Sequence, residues 1–157
     1  MTERRTEEDI REALEKRFGA LLSNWVIQRK RRMYVEVPWE NLVEVVDFVQ
    51  KELGCDHLGT ITGLDVGESL EFIYHLSSQG LILSLKVKVP LSDPRVQTIT
   101  PMFPGAEPYE RELEDMLGAK VEGLAPGRHY PLPDDWPQGQ HPLRKGWKAS
   151  DVYPEEV

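Results

Sequence analysis

The sequence predicts an α+β fold: a mixed, largely antiparallel sheet covered on one face by helices, with an extended proline-rich C-terminal tail. Three observations carry that expectation. Two stretches of helical periodicity lie in the first third of the chain, from Ile10 to Leu21 and from Trp39 to Leu53. Two alternating apolar runs, Leu70 to Leu76 and Leu81 to Val89, occupy the middle. Ten of the twelve prolines fall between Pro94 and Pro154, where regular structure has little room. Residues 1–123 are therefore expected to form the α+β domain and residues 124–157 an extended, partner-docking tail.

The first helix is marked by Ile10, Leu14, Phe18 and Leu21, with Ala13 between them. Thr6 is a suitable N-cap, the acidic residues behind it suit the helix dipole, and Gly19 loosens the end. Trp25–Ile27 and Met33–Val37 read as short strands flanking the basic run Arg29-Lys30-Arg31-Arg32. Pro38 opens the second helix at a position where its missing N–H costs nothing. Trp39, Leu42, Val43, Val46, Val49 and Leu53 form its apolar stripe, and Gly54 closes it.

Leu58 to Val66 adds a strand before the central hairpin. In that hairpin Ser77-Ser78-Gln79-Gly80 reads as a four-residue loop. Leu76 then pairs with Leu81, Tyr74 with Leu83, Phe72 with Leu85 and Leu70 with Val87. The same register sets Glu71 opposite Lys86 on the other face. That second face is mixed, so cover is expected on one side only. A single short helix starts near Pro108, shows Tyr109, Leu113, Met116 and Leu117 on one side, and ends at Gly118. Beyond Gly123 there is no periodicity, yet Trp, Tyr, Leu and His are too frequent for a plain linker. Such a segment is expected to lie along another surface.

A net charge of −8 argues against general nucleic-acid binding. No apolar run approaches the roughly 18 residues that span a bilayer, and the charged start shows no secretory segment. Cys55 is the only cysteine, which leaves no internal disulfide and no all-cysteine zinc or iron–sulfur site. A cytoplasmic setting is expected. Gly59, Gly63 and Gly67 are spaced too evenly for a phosphate loop, and no Gly-Lys-Ser/Thr follows. Cys55 and His57 are expected on one strand face as packing residues. His129, His141, Asp134 and Asp135 lie in the tail without metal-ligand spacing. The basic run is a solvated turn, or a contact for an acidic partner or lipid headgroups. Glu110-Arg111-Glu112-Leu113-Glu114-Asp115 is the one dense charged cluster. Read from the residues alone, it is a solvated face with an Arg111–Asp115 i,i+4 pair.

The order Ile99-Thr100-Pro101-Met102-Phe103-Pro104-Gly105-Ala106-Glu107-Pro108-Tyr109-Glu110-Arg111-Glu112-Leu113-Glu114-Asp115-Met116-Leu117-Gly118 resembles the signature of the 30-kDa subunit family of respiratory complex I. That signature is a proline-containing turn, an aromatic residue with Glu-Arg-Glu, then Asp-hydrophobic-hydrophobic-Gly. Leu132-Pro133-Asp134-Asp135-Trp136-Pro137 with His141-Pro142-Leu143-Arg144-Lys145 resembles the second block. Ile61–Asp65 and Tyr74–Leu76 match in order as well, so the similarity spans roughly residues 25–150. It departs after Gly118, where Ala119–Pro126 stands in place of Ile-x-Phe-x-Gly-His-Pro. The Asp-Trp-Pro-x-Gly-x-x-Pro-Leu-Arg-Lys wording is similar to the equivalent subunits of energy-converting membrane-bound [NiFe] hydrogenases.

The resemblance implies a structural subunit with no cofactor or metal of its own. Its implied partners are a large subunit bearing the quinone or nickel site and an iron–sulfur small subunit. It implies membrane association only through the complex, on the cytoplasmic side. Tyr109, Glu110, Arg111, Glu112, Asp115 and Gly118, with Asp135, Trp136, Pro142, Leu143, Arg144 and Lys145, are the implied interface residues, and Trp136, Leu143 and Trp147 candidate anchors. Read without the resemblance, the carboxylates of Glu110, Glu112 and Asp115 with His129 or His141 leave room for a small enzyme. A regulatory binding module is the remaining alternative.

Overall fold

A computed structural model describes residues 4–154. Helix α1 (Glu7–Phe18) starts with a capping box: the Asp9 amide donates to Thr6 Oγ1 at 3.2 Å, and the Thr6 amide to the Asp9 carboxylate at 2.7 Å. Both groups would otherwise be orphan donors at the helix start. Its apolar side buries Ile10 and Leu14, while Leu21, expected on the same stripe, lies in a 3-10 turn and is 37% exposed.

Strands β1 (Ser23–Arg29) and β2 (Arg32–Glu36) form the first hairpin around the basic run. A 3-10 turn, Trp39–Asn41, separates Pro38 from α2 (Leu42–Lys51), so the proline precedes the helix proper rather than occupying its first turn. The buried stripe of α2 is Leu42, Val45, Val46 and Val49. Val43 is only half-buried, because the 3-10 turn rotates the helix relative to a stripe counted from Trp39. Phe18 and Phe48 pack edge to face, with ring centroids 5.5 Å apart, and this ties α1 to α2.

Three strands follow: β3 (His57–Asp65), β4 (Ser69–Ser78) and β5 (Leu81–Pro90). The five-stranded sheet has the order β1-β2-β5-β4-β3, antiparallel throughout except for the parallel β2–β5 pair. That parallel pairing needs the long crossover through α2 and β3–β4. Cys55 precedes β3 and is buried, whereas His57 begins the strand and is exposed, so the two do not share a strand face.

The central hairpin differs from the expected register by two residues. Ser78 pairs with Leu81, Leu76 with Leu83, Tyr74 with Leu85, Phe72 with Val87 and Leu70 with Val89. The loop is only Gln79-Gly80, and both residues take positive φ, 46° and 85°. Two such residues make the tight turn whose twist matches paired strands, so β4 stays paired two residues further toward the tip, through Ser77 and Ser78. Because the side-chain period is two, the shift keeps every residue on its expected face. Phe72 and Leu85 are fully buried, and Glu71 lies opposite Lys88 rather than Lys86. Its ion pair is nevertheless made diagonally, with Lys86 Nζ 3.4 Å away.

The apolar face of the sheet packs under the helices. Met33 and Val35 of β2, Leu83, Leu85 and Val87 of β5, and Phe72 and Tyr74 of β4 join Ile10, Leu14, Val45 and Val46 in one core. The opposite face is a polar lattice. His75 lies between Thr62 Oγ1, at 3.0 Å from its Nε2, and Ser84 Oγ, at 2.8 Å from its Nδ1. Burial, and then the charge of Arg32, pushes its pKa below the ordinary histidine value.

After β5 the chain forms two short strands that periodicity does not disclose. These are β6 (Arg95–Gln97) and β7 (Lys120–Glu122), paired in parallel as a separate ribbon. Between them α3 (Glu107–Leu117) runs along β3. A Cβ added at Gly63 would stand 2.7 Å from Leu113 Cδ2, so the helix and strand approach through a missing side chain. From Leu124 to Trp147 there is neither helix nor strand.

Candidate functional site: the junction of α3 and the tail

Helix α3 carries the charged cluster, and its groups do not form a solvated face. Glu110 is fully buried. Its carboxylate accepts from the Ile99 amide at 2.7 Å and from the Thr98 hydroxyl at 2.5 Å. Thr98 Oγ1 in turn stands 2.7 Å from Thr100 Oγ1 and accepts from the Thr100 amide at 3.1 Å. Burial pushes the Glu110 pKa up, against the pull of these hydrogen bonds. Glu110 thus staples the start of α3 to the turn that follows β6.

Asp115 is buried too, and Arg111 does not pair with it. The guanidinium lies 3.3 Å from Glu107 and 3.6 Å from Glu114, and it donates to the carbonyl of Ala125. It rests on Gly127, where an added Cβ would come 2.6 Å from Arg111 Nη2. Asp115 instead turns toward the tail. His129 Nδ1 is 2.7 Å from Asp115 Oδ1, and the Leu132 amide donates to Oδ2 at 3.2 Å.

The end of α3 is closed by the tail. Gly118, at φ 74°, returns its N–H to Glu114 O at 2.9 Å, and the Ala119 amide reaches Leu113 O at 3.2 Å. The next three carbonyls have no helical partner. His141 Nδ1 donates to Asp115 O at 2.8 Å, the Leu143 amide to Met116 O at 2.9 Å, and Arg144 Nη1 to Leu117 O at 3.1 Å. Because a carbonyl can only accept, the His141 proton sits on Nδ1. The positive charge of Arg144 at a helix C-terminus also suits the dipole.

A second anchor lies on β3. The Asp65 carboxylate accepts from the Lys145 amide at 2.9 Å and the Gly67 amide at 2.9 Å, and Arg144 Nε stands 3.3 Å away. The Lys145 amide, followed by that of Gly67 and the two nearby cations, outweighs burial and holds the Asp65 carboxyl below its usual range. Trp136 and Trp147 pack with ring centroids 6.3 Å apart, and their indole N–H groups both reach Gln140, at 2.8 and 2.9 Å.

The tail therefore lies along its own domain, where contact with a partner was expected to supply its order. Of the twelve residues singled out, Glu110, Arg111, Asp115, Gly118, Leu143, Arg144 and Lys145 meet at this junction, the last through its backbone. Pro142 is half-buried beside them. Tyr109 donates to Gly59 O at 3.2 Å from the helix side. Trp136 belongs to the aromatic cluster just described. Asp135 is exposed and Glu112 half-buried; neither side chain makes a hydrogen bond or ion pair among the described residues. The residues that the charge pattern alone does not single out are Asp65, Thr98 and Gly127. For Asp65 the signals were its place between Gly63 and Gly67 and at the end of the Ile61–Asp65 stretch that resembles the family.

Between α3 and the tail lies a cleft of about 550 Å³, bordered by Arg111, Asp115, His129, Trp136 and His141. Among the described residues no three His, Cys, Asp or Glu side chains come together as a metal-ligand group. No helix among them is long and apolar enough to cross a membrane.

Several known proteins are similar to this chain along most of its length. A subunit of the F(420)H(2) dehydrogenase of Methanosarcina mazei is 29% identical over 144 residues, covering 89% of this chain and 90% of its own. The membrane-bound hydrogenase subunit beta of Pyrococcus furiosus is 29% identical over 133 residues, covering 82% and 75%. The solved structure of the trypsin-resistant fragment of Nqo5 superposes with a TM-score of 0.64 at 26% identity, covering 77% of this chain and 98% of that one. The family described as the respiratory-chain NADH dehydrogenase 30 Kd subunit matches residues 35–153, from β2 through the tail, and the chain belongs to that family.

Proposed function

We propose that the chain is a non-catalytic structural subunit in the peripheral, cytoplasmic arm of a membrane-bound respiratory redox complex. The complex is of the NADH:quinone oxidoreductase or membrane-bound [NiFe] hydrogenase kind, and the subunit supports electron transfer coupled to ion translocation. It holds no redox cofactor, and it packs against a large subunit bearing the quinone or nickel site and an iron–sulfur small subunit. The observation that carries this reading is the use made of the signature charges. Arg111 and Asp115 are taken up in holding the tail to α3, and Glu110 in holding α3 to the turn after β6, which builds a fixed surface. Glu112 is left partly exposed, with no side-chain partner among the described residues, on the side of α3 that also bears Tyr109 and Met116. It is the signature carboxylate available to a cation on a partner. Leu143 and Tyr153, 50% and 65% exposed, offer further contact points on the tail.

Purification of the tagged chain from its native membranes in mild detergent tests the proposal. The large and iron–sulfur subunits should accompany it, and Glu112→Gln should reduce their recovery while leaving the isolated chain folded. A chain that purifies alone and intact overturns the reading.

The Asp115–His129 pair beside the cleft is the feature that favours an enzyme. The described residues that border the cleft include no Ser, Thr, Cys or Lys nucleophile for such a pair to activate. Turnover by the isolated chain that Asp115→Asn abolishes would favour that second reading.

A further inference from the structure

We propose that the free edge of β1 receives an extended, acidic segment of a partner polypeptide as a sixth strand of the sheet. The partner is a subunit of the complex proposed above, so the inference rests on that reading. β1 ends the sheet order, and among the described residues its outer main-chain groups have no strand beside them. An open edge is a template for another strand unless something covers it. Val26 is 51% exposed and Ile27 47%. Consecutive strand residues point to opposite faces, so apolar surface is open on both sides of β1. A bilayer or a packed helix would cover one of those faces. An added strand places cross-strand neighbours beside both.

The charge of the adjoining turn defines the occupant. Arg29, Lys30 and Arg32 make no ion pair with any carboxylate among the described residues, in a chain whose net charge is −8. Arg31 between them is held inward: its guanidinium donates to Arg5 O at 3.0 Å and Gln79 O at 2.7 Å, and its amide to the Glu7 carboxylate. The turn is thereby pinned to α1 and to the central hairpin, and it presents the exposed Arg29 and Lys30 from a fixed frame. A second copy of the chain suits the edge poorly. β1 contains no carboxylate to meet those cations, and its two register irregularities disfavour flat pairing with itself. The fitting segment carries apolar residues across from Val26 and Ile27, with Asp or Glu at the end that reaches the turn.

Hydrogen–deuterium exchange of residues 23–29, measured on the free full-length chain and on the native complex, tests this. The outward amides of β1 should exchange quickly in the free chain and slow by more than about tenfold in the complex. A double Arg29→Glu, Lys30→Glu variant should lower recovery of the partner subunits, with the melting temperature of the free chain unchanged, and Lys30→Arg should not. A complex that purifies intact while β1 exchanges as in the free chain overturns the inference and leaves the subunit reading standing. Equal protection of the free chain by phosphatidylglycerol vesicles overturns it in favour of a lipid surface. Absence of any companion subunit removes both readings together.

Discussion

The imidazole of His141 lies directly on the backbone of Gly118: a Cβ built there would come within 2.7 Å of His141 Cδ2 and 2.8 Å of Nε2. The same glycine takes φ 74°, the left-handed conformation that ends α3. One residue thus serves two needs, stopping the helix and letting the tail ring close over its end. Gly118→Ala meets both penalties. The conformational one alone is about 1–2 kcal/mol, and displacement of His141 adds to it. Urea unfolding should show the full loss in the single variant and partial recovery in Gly118→Ala with His141→Ala. Equal losses in the two would mean that the ring contact is immaterial.

As half of an exposed i,i+4 pair Arg111 would contribute only about 0.3–0.5 kcal/mol, so that Arg111→Ala would damage assembly more than the fold. The structure changes that expectation. The side chain is 11% exposed, faces two carboxylates, and donates to the tail at Ala125. Its removal should destabilise by about 1 kcal/mol, because a side chain held at 11% exposure loses its packing and its charged hydrogen bond to the tail. Lysine should rescue poorly, lacking the planar fork that reaches several acceptors at once. Limited proteolysis within residues 124–130 should accelerate in both variants; a tail as resistant as wild type would show that Arg111 does not hold it.

The two-residue hairpin loop makes Gln79 adopt φ 46°. Asparagine accepts that region more readily, so Gln79→Asn should stabilise by about 0.5 kcal/mol without altering the strands. A four-residue loop would make the position indifferent, and an unchanged melting temperature would argue for it.

The Asp65 carboxyl titrates below the ordinary Asp value of 3.8, chiefly because the Lys145 amide hydrogen-bonds its ionised form. A lowered folded-state pKa stabilises fully above the unfolded value, and that contribution is lost as pH falls through the folded one. Asp65→Asn should therefore lower stability at pH 7, and the gap from wild type should close as pH drops below about 4. Urea midpoints across that range check it. A gap independent of pH would assign the effect to shape rather than charge.

Much of this molecule follows from local rules. Thr6 caps α1 because its hydroxyl and the Asp9 carboxylate lie within one turn of each other. The faces of β4 and β5 follow from alternation, and a two-residue error in register leaves them intact because the period is two. The order Glu-Arg-Glu with Asp and Gly marked the right helix. What the charges do there was decided by distant segments. Glu110 is buried because Thr98 and Ile99 fold over it, and Asp115 turns from Arg111 to His129 because the tail supplies closer donors. The Lys145 amide meets Asp65 across eighty positions. Periodicity reports only neighbours a few residues away, so it left the tail without an assigned surface. The open carbonyls at the end of α3 and the Asp65 carboxylate are satisfied only when the chain comes back to them, and that return is a property of the tertiary structure alone.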